Sequence, residues 1–166
     1  MIHKILSALD KKTEFDRAEA HCDVPCGIYD PIVAQIAALT VVRMMDIMIG
    51  LDSDGKSDKL AYHNTMSRAI LVKEEHAEKT KHEIRVIWGD YIKAPHVEKY
   101  PELPELAHNI MLLGSKSRQT VDRDAAVALV DAVNRFAEIF WETKGVATKK
   151  ANAPYKPSLE MVYPVL

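Results

Sequence analysis

From Asp58 to Trp88 the chain contains neither glycine nor proline, and this unbroken stretch limits the possible folds more than any other feature. Those two residues end helices most reliably, one through backbone freedom and the other through its missing N–H. A helix is therefore expected over about Asp58 to Ile92 as one long rod, and a rod needs long partners. Upstream, Asp30 suits an N-cap and Pro31 the first helical position, which predicts a helix from Pro31 to about Leu51, ending near Gly50 before the turn Asp52-Ser53-Asp54-Gly55. Downstream, Pro95, Pro101 and Pro104 punctuate a connection, and Glu105 to about Ser115 reads as a third helix. Thr120 or Asp122 caps a fourth, in which Ala126, Val130, Val133, Ala137 and Phe140 form a stripe of helical period. No strand-like alternation competes with it. The expected fold is all-α, an antiparallel four-helix bundle with short turns, preceded by an N-terminal hook.

A chain of 166 residues with 48% hydrophobic content can bury one ordinary core, and a net charge of −2 gives no polyelectrolyte bias, so nucleic acid is not an expected partner. The first helix is apolar nearly all round, with Gln35, Arg43 and Asp46 as its strongly polar positions. Arg43 and Asp46 interrupt the apolar run, so a membrane span is not expected. A bundle helix normally keeps a wet face. One without it buries a second side against another subunit, which predicts an oligomer.

The reactive residues gather in His21-Cys22-Asp23-Val24-Pro25-Cys26-Gly27-Ile28-Tyr29-Asp30-Pro31, and Cys22 and Cys26 are the only cysteines of the chain. Pro25, Gly27 and Pro31 force this segment to turn, so two thiolates and an imidazole can wrap one metal ion. By themselves these donors also suit a small-loop disulfide, or a zinc site completed by His63, His76 or His82. A di-iron centre would need two Glu-x-x-His pairs, and the chain offers only Glu105-Leu106-Ala107-His108. A helical module that binds nickel, copper or zinc without catalysis is the alternative function.

Residues 1–20 include Ala18-Glu19-Ala20, which reads like a cleavage site, but their apolar part, Ile5 to Leu9, runs directly into Asp10, Lys11, Lys12, Glu14, Asp16 and Arg17. That is too short and too charged for export. The segment reads as a propeptide removed in the cytoplasm, and a start at Met1 fits a precursor.

The run at 21–31 resembles the nickel hook of nickel-containing superoxide dismutases. Later blocks resemble the same family in the same order: 72–78 (VKEEHAE), 88–91 (WGDY), 93–103 (KAPHVEKYPEL) and 140–144 (FWETK). The resemblance spans about 21–144, leaving 145–166 as a C-terminal extension with no assigned role. It implies a superoxide dismutase that converts superoxide to oxygen and hydrogen peroxide by ping-pong cycling between Ni(III) and Ni(II). It also implies a homohexamer and a processing protease for the propeptide. The implied ligands are the sulfurs of Cys22 and Cys26, the α-amine and imidazole of His21, and the backbone nitrogen of Cys22. Thiolates are the strong donors that nickel(II) needs to be oxidised within reach of superoxide. The α-amine exists only after cleavage, because the same nitrogen within the Ala20–His21 peptide bond is a planar amide, whereas a free α-amine titrates near roughly 8.

Around the ligands, the resemblance gives Tyr29 a gating role at the open face of the metal and makes Tyr91 its partner. Asp23 orders the hook, and Lys93 draws in the anionic substrate. The chain also departs from the family. Where familiar members carry a glutamate and an arginine that orient the axial imidazole, this sequence has Ala37 and His76.

Overall fold

A computed structural model describes residues 27–53 and 58–166. The expected propeptide at 1–20 and the hook residues His21, Cys22, Asp23, Pro25 and Cys26 lie outside the described residues. Among the described residues five α-helices follow in order: α1 (Ile32–Ser53), α2 (Lys59–Val86), α3 (Ala94–Lys99), α4 (Leu103–Gln119) and α5 (Arg123–Thr143). Two strands complete the chain, β1 (Thr148–Asn152) and β2 (Glu160–Pro164).

The helix starts follow their caps. The Asp30 carboxylate accepts from the Ile32 N–H at 2.8 Å, Asp58 accepts from Leu60 and Ala61, and Asp122 accepts from the Ala125 N–H at 3.0 Å. Each satisfies a backbone donor that the first turn leaves orphaned. The expected rod is present, but its last turn differs. After Val86 it widens into a π-helical turn at Ile87–Tyr91, which the Ile92 N–H closes onto the Ile87 carbonyl at 3.0 Å. The proline-punctuated connection contains α3, with Pro95 in its first turn. Proline belongs there, since the first helical N–H groups have no intrahelical partner. The third long helix extends past its expected bounds at both ends, from Leu103 to Gln119.

Helices α1, α2, α4 and α5 form a closed ring in which each packs on two others. Cross-links fix the directions. Asp46, late in α1, pairs with Arg123 at the start of α5, while Gln35, early in α1, meets Asn134 further along α5. Lys73 of α2 reaches the end of α4, and Glu102 before α4 pairs with Arg135 of α5. The bundle is therefore antiparallel throughout, as expected. Phe136, Phe140, Met45, Ile84, Leu103, Ile110 and Leu129 fill its interior and are fully buried. Each such side chain contributes about 1.5 to 3 kcal/mol by leaving water.

The hairpin was not expected. β1 and β2 pair antiparallel in register Lys150 to Val162, and Met161, Val162 and Ala153 are buried against the bundle. Buried amides hold it there: Gln35 Nε2 donates to Asn134 Oδ1 at 2.9 Å and to the Val162 carbonyl at 3.0 Å. Asn134 Nδ2 donates to the Glu160 carbonyl at 2.8 Å. The extension thus occupies part of the apolar girth of α1 and α5. Elsewhere on α1, Ile36 and Ile49 remain exposed. By length and composition α1 could cross a membrane, yet half of the window that qualifies is buried within the bundle.

Candidate functional site

The start of α1, the π-helical turn after α2, α3 and the end of α5 lie at one end of the bundle, and that is where the hook joins. Gly27 enters the described chain at φ +71°, a left-handed conformation that an L side chain rarely adopts. Two residues on, the Tyr29 ring lies 5.6 Å from the Tyr91 ring, centroid to centroid. The two tyrosines singled out in the sequence are therefore brought together across the bundle end.

Tyr91 is held on several sides. The His96 imidazole stacks on it at 5.3 Å with 19° between the planes, and Phe140 meets it at 5.0 Å. The Lys144 ammonium lies 4.5 Å from its centroid, within cation–π range. Its hydroxyl is 2.8 Å from Thr143 Oγ1. The π-helical turn is what presents the phenol to these partners, since one extra residue in a turn shifts every following side chain around the axis. His96 is in turn fixed by the Lys93 N–H, which donates to Nδ1 at 3.1 Å. Its ring proton is consequently on Nε2.

Lys93 itself is exposed and, among the described residues, neither it nor Lys144 forms an ion pair. Sequence reasoning missed His96, Thr143 and Lys144 as neighbours of Tyr91. The available signal was their place within the blocks 93–103 and 140–144.

Ala37 and His76, at the positions of the family's clamp, are placed differently. Ala37 is buried at 1% exposure and offers no polar group. His76 uses Nδ1 as a donor to the Val72 carbonyl at 2.9 Å, one turn back on its own helix, which leaves Nε2 to act outward. The other candidates for a zinc site, His63 and His82, are exposed on α2. No group of three or more His, Cys, Asp or Glu side chains poised for a metal occurs among the described residues.

Where α2 meets the close of α4, Lys73 and Arg118 are engaged. Lys73 is 3% exposed, and its ammonium donates to the carbonyls of Ser117 at 2.7 Å, Arg118 and Thr120 at 3.1 Å. It caps the C-terminus of α4, where unpaired carbonyls and the helix dipole both favour a positive charge. Arg118 bridges Glu74 and Glu78, and Arg85 also reaches Glu78 at 2.6 Å. The hydrogen bond from Arg85 draws the Glu78 carboxyl below the usual range.

Residues 16–144 match the family model described as nickel-containing superoxide dismutase. A protein of Streptomyces coelicolor named superoxide dismutase [Ni] is 38% identical over 125 residues, covering 75% of this chain and 88% of its own length. Its namesake in Streptomyces seoulensis is 37% identical over 128 residues, covering 77% and 91%. The native crystal structure of a nickel superoxide dismutase superposes with a TM-score of 0.65 at 38% identity, covering 75% of this chain and 99% of that one.

Proposed function

The chain belongs to the nickel-containing superoxide dismutase family, and on that premise we propose that His21, Cys22 and Cys26 hold its nickel, once residues 1–20 have been removed. The enzyme is a nickel-dependent superoxide dismutase, and the non-enzymatic carrier is not favoured. The donor set fits the metal: two thiolates, an imidazole and, after cleavage, an α-amine make a strongly donating, partly anionic site. Three peptide links separate Cys26 from Tyr29, a reach of at most about 11 Å, so the described end of the bundle borders the hook. Bound there, nickel supplies a one-electron couple for the two halves of the reaction, in which one superoxide is oxidised to oxygen and a second takes up that electron and two protons to give hydrogen peroxide.

The remaining work falls to the chain. Lys93 and Lys144, without carboxylate partners among the described residues, raise the local concentration of a small anion. Tyr29 narrows the approach, Tyr91 supports it by ring contact, and Asp23 orders the hook. His76 stands alone where the family has a charged clamp, so the His21 imidazole is oriented with fewer hydrogen bonds. Residues 21–144 form the catalytic unit and 145–166 its extension. The protein works in the cytoplasm as a homo-oligomer, a hexamer by family likeness, without a membrane span and after cleavage by a processing protease.

The observation that carries this reading is the His-Cys-x-x-x-Cys run entering a bundle end built around Tyr29 and Tyr91. Intact mass, nickel content and superoxide turnover, measured on the uncut chain and on the chain cut after Ala20, test it. The cut form binds nickel and turns over; the uncut form shows little or no turnover, because His21 then offers an amide. One extra Ala before His21 keeps activity low. A fully active uncut chain overturns the amine ligand.

A further inference from the structure

Two distances fix the polarity of the Tyr91 hydroxyl. Thr143 Oγ1 lies 2.6 Å from the Phe140 carbonyl oxygen and 2.8 Å from the Tyr91 phenol oxygen. A hydroxyl carries one proton and a carbonyl can only accept, so Thr143 donates to Phe140. The contact with Tyr91 is then a hydrogen bond only if Tyr91 is the donor. The chain runs one way, from the phenol to the threonine hydroxyl to the helix-end carbonyl, and it stops there.

We propose that Thr143 is a positioning residue for the superoxide reaction: it takes the Tyr91 proton inward and leaves the phenol oxygen to any further partner only as an acceptor. The inference rests on the reading that nickel is held beside Tyr29 and Tyr91. An unanchored phenol turns its O–H freely and serves as donor or acceptor. Here the ring is packed by His96, Phe140 and Lys144, and turning the O–H outward would forfeit the inward bond. Any water or hydroxyl that meets the Tyr91 oxygen must therefore donate to it. That orders the proton-bearing groups at the approach, and it makes Tyr91 a poor partner for superoxide, which has no proton to give.

Infrared difference spectra of the metal-free protein against Tyr91→Phe isolate the phenol C–O–H bands. Thr143→Val should shift those bands and Thr143→Ser should return them. In the cut, nickel-loaded protein, Thr143→Val should lower turnover roughly two- to tenfold, the range that one hydrogen bond supports. Nickel content should remain that of the parent, and melting temperature should fall by no more than the loss of the Thr143 hydrogen bonds accounts for. Added to Tyr91→Phe, Thr143→Val should cost nothing more, because both remove the same contact. Unmoved bands in Thr143→Val, or losses that multiply in the double variant, overturn the role of Thr143. If Tyr91→Phe leaves both turnover and azide inhibition at parental values, the siting of the nickel beside Tyr91 fails and the catalytic role fails with it; the band shift distinguishes that outcome, since it is read without metal.

Discussion

At the hook end of the bundle, rings gather beside Lys93 and Lys144, which form no ion pair among the described residues; where α2 meets the close of α4, Lys73 and Arg118 are spent on carbonyls and carboxylates. Tyr29, His96 and Phe140 each set a ring against Tyr91, with Lys144 over it as well. Lys73 and Arg118 instead each reach two or more oxygens. The same residue types thus do different things. A lysine whose charge is matched stabilises the fold. One whose charge is left unmatched near a small-anion site can act on the anion.

The largest expected effect separates chemistry from fold. Cys22→Ser or Cys26→Ser should abolish superoxide turnover while circular dichroism and melting temperature stay near parental values, since neither cysteine belongs to the described core. Nickel-dependent turnover in either variant would remove thiolate ligation. The converse experiment is at the other end. Lys73→Met leaves the Ser117, Arg118 and Thr120 carbonyls without their cation, and should cost about 2 to 3 kcal/mol in urea unfolding with turnover per bound nickel unchanged. A loss of turnover per nickel would show that the two ends are coupled.

A smaller effect is expected from Lys93 and Lys144. Lys93→Ala and Lys144→Ala should each lower kcat/KM a few-fold at low ionic strength, with the difference shrinking as salt is added, because screening acts on exposed charges. A deficit that persists in high salt would assign them a contact role rather than steering. Lys144→Ala also removes its contact with Tyr91, so Lys93→Ala gives the cleaner test.

The smallest effect concerns acid. Burial pushes the Glu138 carboxyl up, but hydrogen bonds from Lys150 and Arg135 outweigh it and hold the group below its usual 4.5. A carboxylate with a depressed folded value adds stability above its unfolded value and loses that contribution as pH falls through the folded one. Hairpin docking should therefore weaken only below about pH 4.5, by a fraction of a kcal/mol for a partly exposed pair. Amide exchange on β1, compared between Glu138→Gln and parent at neutral and acid pH, checks this. Equal protection in both proteins at neutral pH would mean that the pair does not hold the strand.

Much of the bundle was legible because its signals are local. Asp30-Pro31 and Asp122 mark helix starts by side-chain chemistry that acts within one turn, and the stripe ending at Phe140 gives the period of α5. The hairpin was not legible. Thr148–Asn152 is polar and Glu160–Pro164 ends in proline, so neither alternates; they fold by pairing with each other and through Gln35 and Asn134, which are distant in sequence. Lys73 looks like any solvated helix lysine until α4 ends beside it. At the site, Tyr29 and Tyr91 could be picked out by family likeness, whereas Thr143 and His96 gain meaning only through the π-helical turn, an insertion that leaves no mark in a sequence pattern.

The buried amide of Gln35 also has a consequence for the order of assembly. Gln35 leaves the ribosome long before the Val162 carbonyl it donates to, which is made 127 residues later. During translation the first turn of α1, from which the hook departs, must therefore wait for its last partner, and a buried polar group without a partner is costly. Synthesis of the Glu160–Pro164 strand, rather than emergence of α1, sets the earliest moment at which the segment beside the proposed ligands is fully anchored.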